Sequence, residues 1–124
     1  MYEYKVIIDK GSFDAICLDT DTDSEEKYTK YLVEQIRVLD AATNGKFLIV
    51  SLLQGHVLDA ILDFFMRGKN NPHAESHVFD LQINRLDKVC DVAESKFVSF
   101  LLIVTKRVKT GSDDKGKLLL KGNI

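Results

Sequence analysis

Val6-Ile7-Ile8-Asp9-Lys10-Gly11-Ser12-Phe13-Asp14-Ala15-Ile16-Cys17-Leu18 is the stretch that decides how the chain begins to fold. Tyr2, Tyr4, Val6 and Ile8 alternate with Glu3, Lys5, Ile7 and Asp9, the period-two signature of a strand. Gly11-Ser12 then reads as a two-residue hairpin loop, with glycine where a type II′ turn needs positive φ. Phe13 to Asp19 becomes the returning strand. That loop sets a register in which Val6 faces Cys17, Ile7 faces Ile16 and Ile8 faces Ala15. Both faces of the ribbon carry apolar groups, so it is expected to be covered on both sides.

Working outward, Tyr28, Tyr31, Leu32, Ile36, Leu39 and Ala42 recur at helical spacing and predict a helix from Ser24 to Thr43, closed by Asn44-Gly45. Phe47 to Leu53 is a continuous apolar run, the mark of a strand buried on both faces. Gly55 turns into a second helix, His56 to Met66, and Gly68 to Pro72 is a loop. His77 to Asn84 alternates as a half-solvated strand, and 87–94 allows one helical turn. Phe97 to Val104 is another wholly apolar run. A polar turn, Thr110 to Gly116, leads to a last strand at Leu118 to Leu120. The order β-β-α-β-α-β-β-β predicts an α+β (α/β) fold: a mixed sheet of five to six strands with an N-terminal hairpin, packed by two helices. Residues 1–124 are read as one domain.

Composition narrows the class. The chain has 124 residues, 45% hydrophobic and 29% charged, enough for a real core. The opening Met-Tyr-Glu-Tyr-Lys lacks an apolar segment, so no signal peptide is expected. Two cysteines, Cys17 and Cys90, suit a reducing compartment. Charged interruptions at Asp59 and Asp63 break the longest apolar stretch, which argues against a membrane span. A soluble, cytoplasmic protein is the expectation. Its net charge of −2 hides an acidic first half and a basic second half, a polarity that steers partners or favours self-association.

The densest chemistry is Asp19-Thr20-Asp21-Thr22-Asp23-Ser24-Glu25-Glu26. Two capping boxes fit inside it, Thr22 with Glu25 and Asp23 with Glu26. The Asp19-x-Asp21-x-Asp23 spacing fails as an EF-hand, because Ser24 replaces the glycine and Lys30 the bidentate glutamate. Ile16-Cys17-Leu18-Asp19-Thr20-Asp21 resembles the apolar strand and Asp-x-Asp of the haloacid-dehalogenase family. That resemblance implies Asp19 as nucleophile, Asp21 as general acid and magnesium at the phosphoryl group. It spans six residues, and Asp23 stands where the family has threonine or valine.

The other patterns are weaker. Gly111 to Lys117 has the spacing of a phosphate-binding loop, but Leu118 replaces the magnesium-binding hydroxyl and no helix can follow. His73-x-x-x-His77 lacks a third zinc ligand. His56, Asp59 and Asp63 read as a solvated helix stripe. Cys90 with a histidine would make a nucleophilic pair only if the fold brought them together. Basic residues at Lys106, Arg107, Lys109, Lys115, Lys117 and Lys121 suggest nucleic-acid contact, without the aromatic platforms that single strands favour.

The leading expectation is therefore an interaction protein, leaning against an enzyme: an inhibitor, immunity-type protein or adaptor. Asp19, Asp21, Asp23, Glu25 and Glu26 would meet the basic surface of another protein. The alternatives are a magnesium-dependent phosphoryl-transfer or hydrolase enzyme at Asp19 and Asp21, and nucleic-acid binding through the C-terminal bases. No cofactor and no resident metal are expected. Homo-oligomers would form through an open sheet edge, either the strand at 77–85 or the terminal strand.

Overall fold

The computed structural model describes residues 3–18, 24–86 and 98–122. Its first strand, β1 (Val6–Lys10), is where the sequence places it. The hairpin is not. After Gly11 the chain enters a short helix, α1 (Ser12–Cys17). Gly11 does adopt the positive φ, 94°, that its type suggested. What the alternating pattern concealed is the Asp9 carboxylate, which accepts the backbone N–H groups of Ser12 at 2.9 Å and Phe13 at 3.0 Å. Those bonds reward a helical start over a returning strand. Phe13, Ile16 and Cys17 also fit helical spacing, and Phe13 is wholly buried.

Helix α2 (Ser24–Arg37) buries Leu32 and Ile36. It ends six residues earlier than its periodicity suggests, for two reasons. The Lys106 ammonium donates to the Ile36 carbonyl at 2.8 Å and the Leu39 carbonyl at 3.0 Å, satisfying groups a longer helix would have used. Asp40 then starts a new 3₁₀ turn (Ala41–Thr43), accepting from the Ala42 N–H and the Thr43 hydroxyl. Asn44 follows at φ 55°.

Strand β2 (Lys46–Ser51) precedes α3 (Gly55–Ile61), which runs on as a π-helical turn (Leu62–Met66). A 3₁₀ turn (Pro72–Glu75) leads into β3 (His77–Leu86), paired antiparallel with β4 (Ser99–Val108), and β5 (Leu118–Lys121) closes the described chain. The helical turn allowed at 87–94 lies outside the described residues.

The result is an α+β arrangement with a mixed five-stranded sheet in the order β1-β2-β4-β3-β5. β1 and β2 run parallel, joined through α1 and α2, as parallel neighbours require. Of the two strands expected at an open edge, β3 is interior while the terminal strand, β5, is an edge; β1 is the other edge. At the β5 end the fit is tight: a Cβ on Gly116 would lie 2.0 Å from the Phe79 carbonyl oxygen, so only glycine lets that crossing close.

Among the described residues, α1, α2, α3 and the π-helical turn share one core with one face of the sheet. Phe13, Leu32, Ile36, Val57, Ile61 and Phe64 meet Phe47, Ile49, Leu81, Ile83, Leu102 and Val104. Aromatic edge contacts bind Phe64 to Phe65 and Phe65 to Phe79. The opposite face differs from expectation. Val6 and Ile8 are 52% and 68% exposed, so the apolar start of the chain is covered on one side only.

Candidate active site at the carboxyl ends of the parallel strands

Open α/β sheets bind ligands beyond the carboxyl ends of their parallel strands. Here those ends belong to β1 and β2, and the chain braces them with two aspartates. Asp9, the penultimate residue of β1, is 3% exposed. Besides the amides of Ser12 and Phe13, it accepts the Tyr31 hydroxyl of α2. Burial, followed by this hydrogen bond, pushes the Tyr31 phenol well above its ordinary range, so it stays a donor at any physiological pH. Tyr31 in turn stacks on Phe13, with ring centroids 6.3 Å apart.

Asp14, one turn into α1, reaches across to β2. It accepts the Ser51 hydroxyl at 2.7 Å and the Leu52 N–H at 2.9 Å. Ser51 Oγ then accepts the Leu53 N–H at 2.8 Å, and Leu53 is held at φ 53°, a conformation uncommon for a bulky residue. Strand ends, helix start and the turn before α3 are thus locked into one scaffold. Lys10, Gly11, Ser12, Leu52 and Gln54 are exposed around it. Cys17 lies close by, half-buried, its thiol pushed up to about 11 by burial and then by Asp14 and Asp9. A thiol so raised is a poor nucleophile.

The residues singled out from sequence fall elsewhere. Asp19, Asp21 and Asp23, with the capping partner Thr22, lie outside the described residues, as does Cys90. Glu25 and Glu26 open α2 and pair with Lys69 at 3.1 Å and Lys30 at 3.0 Å. Ile16 and Cys17, read as the strand of a haloacid-dehalogenase motif, belong to helix α1 instead. Of the basic cluster, Lys106 is buried on the end of α2. Arg107 is spent on Asp80 at 2.8 Å and, bidentately, on Asp114 at 2.6 and 2.8 Å. Hydrogen bonds from Arg107 hold the Asp114 carboxyl far below its usual range. Neither cation is available to a phosphate backbone, while Lys109 is half-buried and Lys115, Lys117 and Lys121 are exposed. His73 and His77 sit with ring centroids 6.5 Å apart. Among the described residues, no group of three or more His, Cys, Asp or Glu is placed to hold a metal ion. No helix among them is long and apolar enough to cross a membrane.

Asp9, Asp14, Tyr31 and Ser51 were not singled out by sequence reasoning. The signal for the first was present: an aspartate three residues before Ser12, followed by Phe13, Ile16 and Cys17 at helical spacing.

Comparison with known proteins supplies what the geometry lacks. No protein-family profile matches the chain. It is 42% identical over 65 residues to the eEF1A lysine and N-terminal methyltransferase of Xenopus laevis, covering 52% of this chain and 9% of that protein. The human protein of the same name is 33% identical over 64 residues, covering 52% and 9%. A homolog from Drosophila pseudoobscura pseudoobscura is 29% identical over 103 residues, covering 83% and 15%. The chain thus spans only a small fraction of the length of these relatives. Among solved structures, it is similar to a crystal structure of M1.HpyAVI (TM-score 0.44, 12% identity), covering 96% of this chain and 57% of that one. The M1.HpyAVI-SAM complex gives a TM-score of 0.44 at 14% identity, covering 99% and 56%.

The relatives overturn the expectation of a stand-alone inhibitor, immunity-type protein or adaptor working through an acidic surface. The stretch shared at 42% identity belongs to a long protein named as a methyltransferase. The phosphoryl-transfer and nucleic-acid alternatives fall with it.

Proposed function

We propose that this chain is part of a methyltransferase, contributing the wall at the carboxyl ends of β1 and β2 beside which donor and acceptor meet. The observation that carries this is the 42% identity over 65 residues to the Xenopus laevis methyltransferase. The braced Asp9–Asp14–Ser51 scaffold supports it, because it stiffens the end of the sheet where ligands of open α/β folds bind. A protein acceptor follows from the relatives' names: a lysine amine or terminal amine of eEF1A.

S-adenosylmethionine is the methyl donor this reading implies, and the described residues alone do not fit it. Both oxygens of Asp9 and both of Asp14 already accept hydrogen bonds from the protein itself. A cavity of about 700 Å³ lies on the outer face of the sheet, lined by Lys46, Gln82, Ile103, Thr105 and Leu119, away from the strand ends. The chain has no Gly-x-Gly-x-x-Gly turn to cradle a nucleoside. The part of the reaction legible here is therefore orientation: a rigid sheet end, with Tyr31 and Asp9 holding α1 and α2 in place behind it.

A chimera tests the reading. The stretch of the Xenopus laevis methyltransferase that aligns with this chain is replaced by the 65 aligned residues of this chain, and methylation of eEF1A is followed by mass spectrometry. Activity within about tenfold of the parent, roughly 1.4 kcal/mol of barrier, is expected. A folded chimera that transfers no methyl group would refute the proposal.

A further inference from the structure

β5 is held more firmly than its share in the core requires. All four of its residues are exposed, Leu118, Leu119 and Leu120 at 47%, 49% and 52%. Yet three devices fix the strand against β3. The Asp80 carboxylate accepts the Lys117 N–H at 2.9 Å. Arg107 ties that carboxylate to Asp114 and donates to the Lys115 carbonyl at 3.3 Å, which anchors the approach to the strand. Gly116 passes the Phe79 carbonyl where no side chain fits. Pairing with β5 covers the edge of β3, but it only moves the open edge one strand outward.

The edge so presented has a defined chemistry. The Lys117 carbonyl accepts the Leu81 N–H at 2.8 Å, so both backbone groups of Lys117 turn toward β3. Successive residues of a strand alternate in this sense. Leu118 and Leu120 therefore aim their N–H and C=O groups away from β3, where no strand among the described residues pairs with them. Side chains alternate as well. Leu118 and Leu120 stand in register with Leu81 and Ile83 on the inner face, and Leu119 stands with Gln82 on the other, between Lys117 and Lys121. Among the described residues, neither of these lysines makes an ion pair.

We propose that the free edge of β5 is a docking site for an extended segment of another protein, one that carries alternate apolar residues between two acids and adds a strand beside Leu118–Leu120. Acids opposite Lys117 and Lys121 complete the cross-strand pairs, and the apolar residues between them cover Leu118 and Leu120. Charge selects against a second copy of this chain. In an antiparallel pair of two β5 strands centred on Leu119, Lys117 of each copy falls opposite Lys121 of the other, like charge against like. Sliding the copies apart to avoid this leaves part of the three-leucine run unpaired. An acidic partner meets both the free backbone groups and the free ammonium groups. Because β5 is fixed before a partner arrives, strand addition has only the incoming segment to order. The site lies four strand spacings, about 19 Å, from β1. It does not depend on the methyltransferase reading.

The probe is a capped peptide, Ser-Glu-Val-Thr-Val-Glu-Ser, whose palindromic core serves either strand direction. Its binding to the chain is followed by fluorescence anisotropy and by hydrogen exchange read by NMR. In the free chain the amides of Leu118 and Leu120 are expected to exchange rapidly and that of Leu119, which faces β3, more slowly. Saturation with peptide is expected to protect Leu118 and Leu120 about tenfold or more. Lys117→Glu with Lys121→Glu should leave the unfolding midpoint in place and weaken the peptide about tenfold or more. The reversed peptide, Ser-Lys-Val-Thr-Val-Lys-Ser, should then prefer that double variant. Leu120→Pro removes an outward N–H and should abolish binding. Should L120P fail to fold, a probe N-methylated along its backbone replaces it, since it keeps the charges and loses the donors. No binding at millimolar peptide, equal affinity of both peptides for the parent chain, undiminished binding of the N-methylated probe, or binding without protection of Leu118 and Leu120 would overturn the proposal. So would protection of those amides in a free chain with the mass of a dimer, which would give the edge to a second copy.

Discussion

Asp9, on β1, holds both α1 and α2. It takes the amides of Ser12 and Phe13 and the Tyr31 hydroxyl while almost wholly removed from solvent. Asp9→Asn keeps one acceptor oxygen and replaces the other with a donor, which then faces donors. The substitution is expected to cost about 1–3 kcal/mol, read as a lower urea midpoint at unchanged slope. An unchanged midpoint would mean that α1 does not depend on this carboxylate. The signal at Asp9 was outweighed in the sequence by the strand alternation, for a physical reason. In an alternating strand it occupies the position of a solvent-facing acid, and the groups that pull it inward lie on other elements. The opposite held for Glu25 and Glu26, which are conspicuous in sequence and meet only exposed lysines.

At the scale of elements, the clearest sequence signals were the apolar runs that became β2 and β4, because a strand interior needs only continuous burial. Boundaries set by distant side chains were not legible. The early end of α2 depends on Lys106, seventy residues beyond Ile36. The junction between the 3₁₀ turn at Pro72–Glu75 and β3 carries a pH dependence. Burial first, then the charge of Lys106, lowers the pKa values of His73 and His77 below their ordinary value. A histidine held neutral in the fold binds its proton more readily when unfolded. Its contribution to stability is therefore complete above about pH 6.5 and is lost as the pH falls through the depressed folded value. Urea midpoints are expected to drop between about pH 7 and pH 5, above the range in which most carboxylates titrate. His73→Gln with His77→Gln should flatten that drop; an equally steep profile in the double variant would assign it elsewhere.

For the whole molecule, the α+β class and the mixed sheet were legible, while the strand order and the parallel β1–β2 pair were not. A single misread turn at Gly11-Ser12 changes which strand is the neighbour of β1. The candidate site was illegible for a related reason, since Asp9, Asp14, Tyr31 and Ser51 converge only once α1 and α2 have crossed between the two strands. Charge plays a small part in holding this assembly together. The pairs Lys30–Glu26, Arg37–Glu34 and Lys69–Glu25 are exposed, and Arg107 with Asp80 and Asp114 is the less accessible cluster. Raising salt from about 0.1 to about 1 M shortens the screening length from about 10 to about 3 Å. The unfolding free energy is expected to change by less than about 1 kcal/mol. A larger loss would show that surface pairs contribute more than burial implies.

The pairing of β2 with β4 has a kinetic consequence. Phe47 meets Val104 and Ile49 meets Leu102, so the centre of the sheet joins segments more than fifty residues apart. The more local β3–β4 pair can form early, but it must wait for β2 to arrive from a distant part of the chain, and β1 can dock only afterwards. Non-local pairing of this kind slows folding. Until β2 arrives, nascent β4 presents Leu101, Leu102, Ile103 and Val104 to whatever is nearby. A newly made chain therefore has a window for misassembly, and its yield depends on how quickly the centre of the sheet closes.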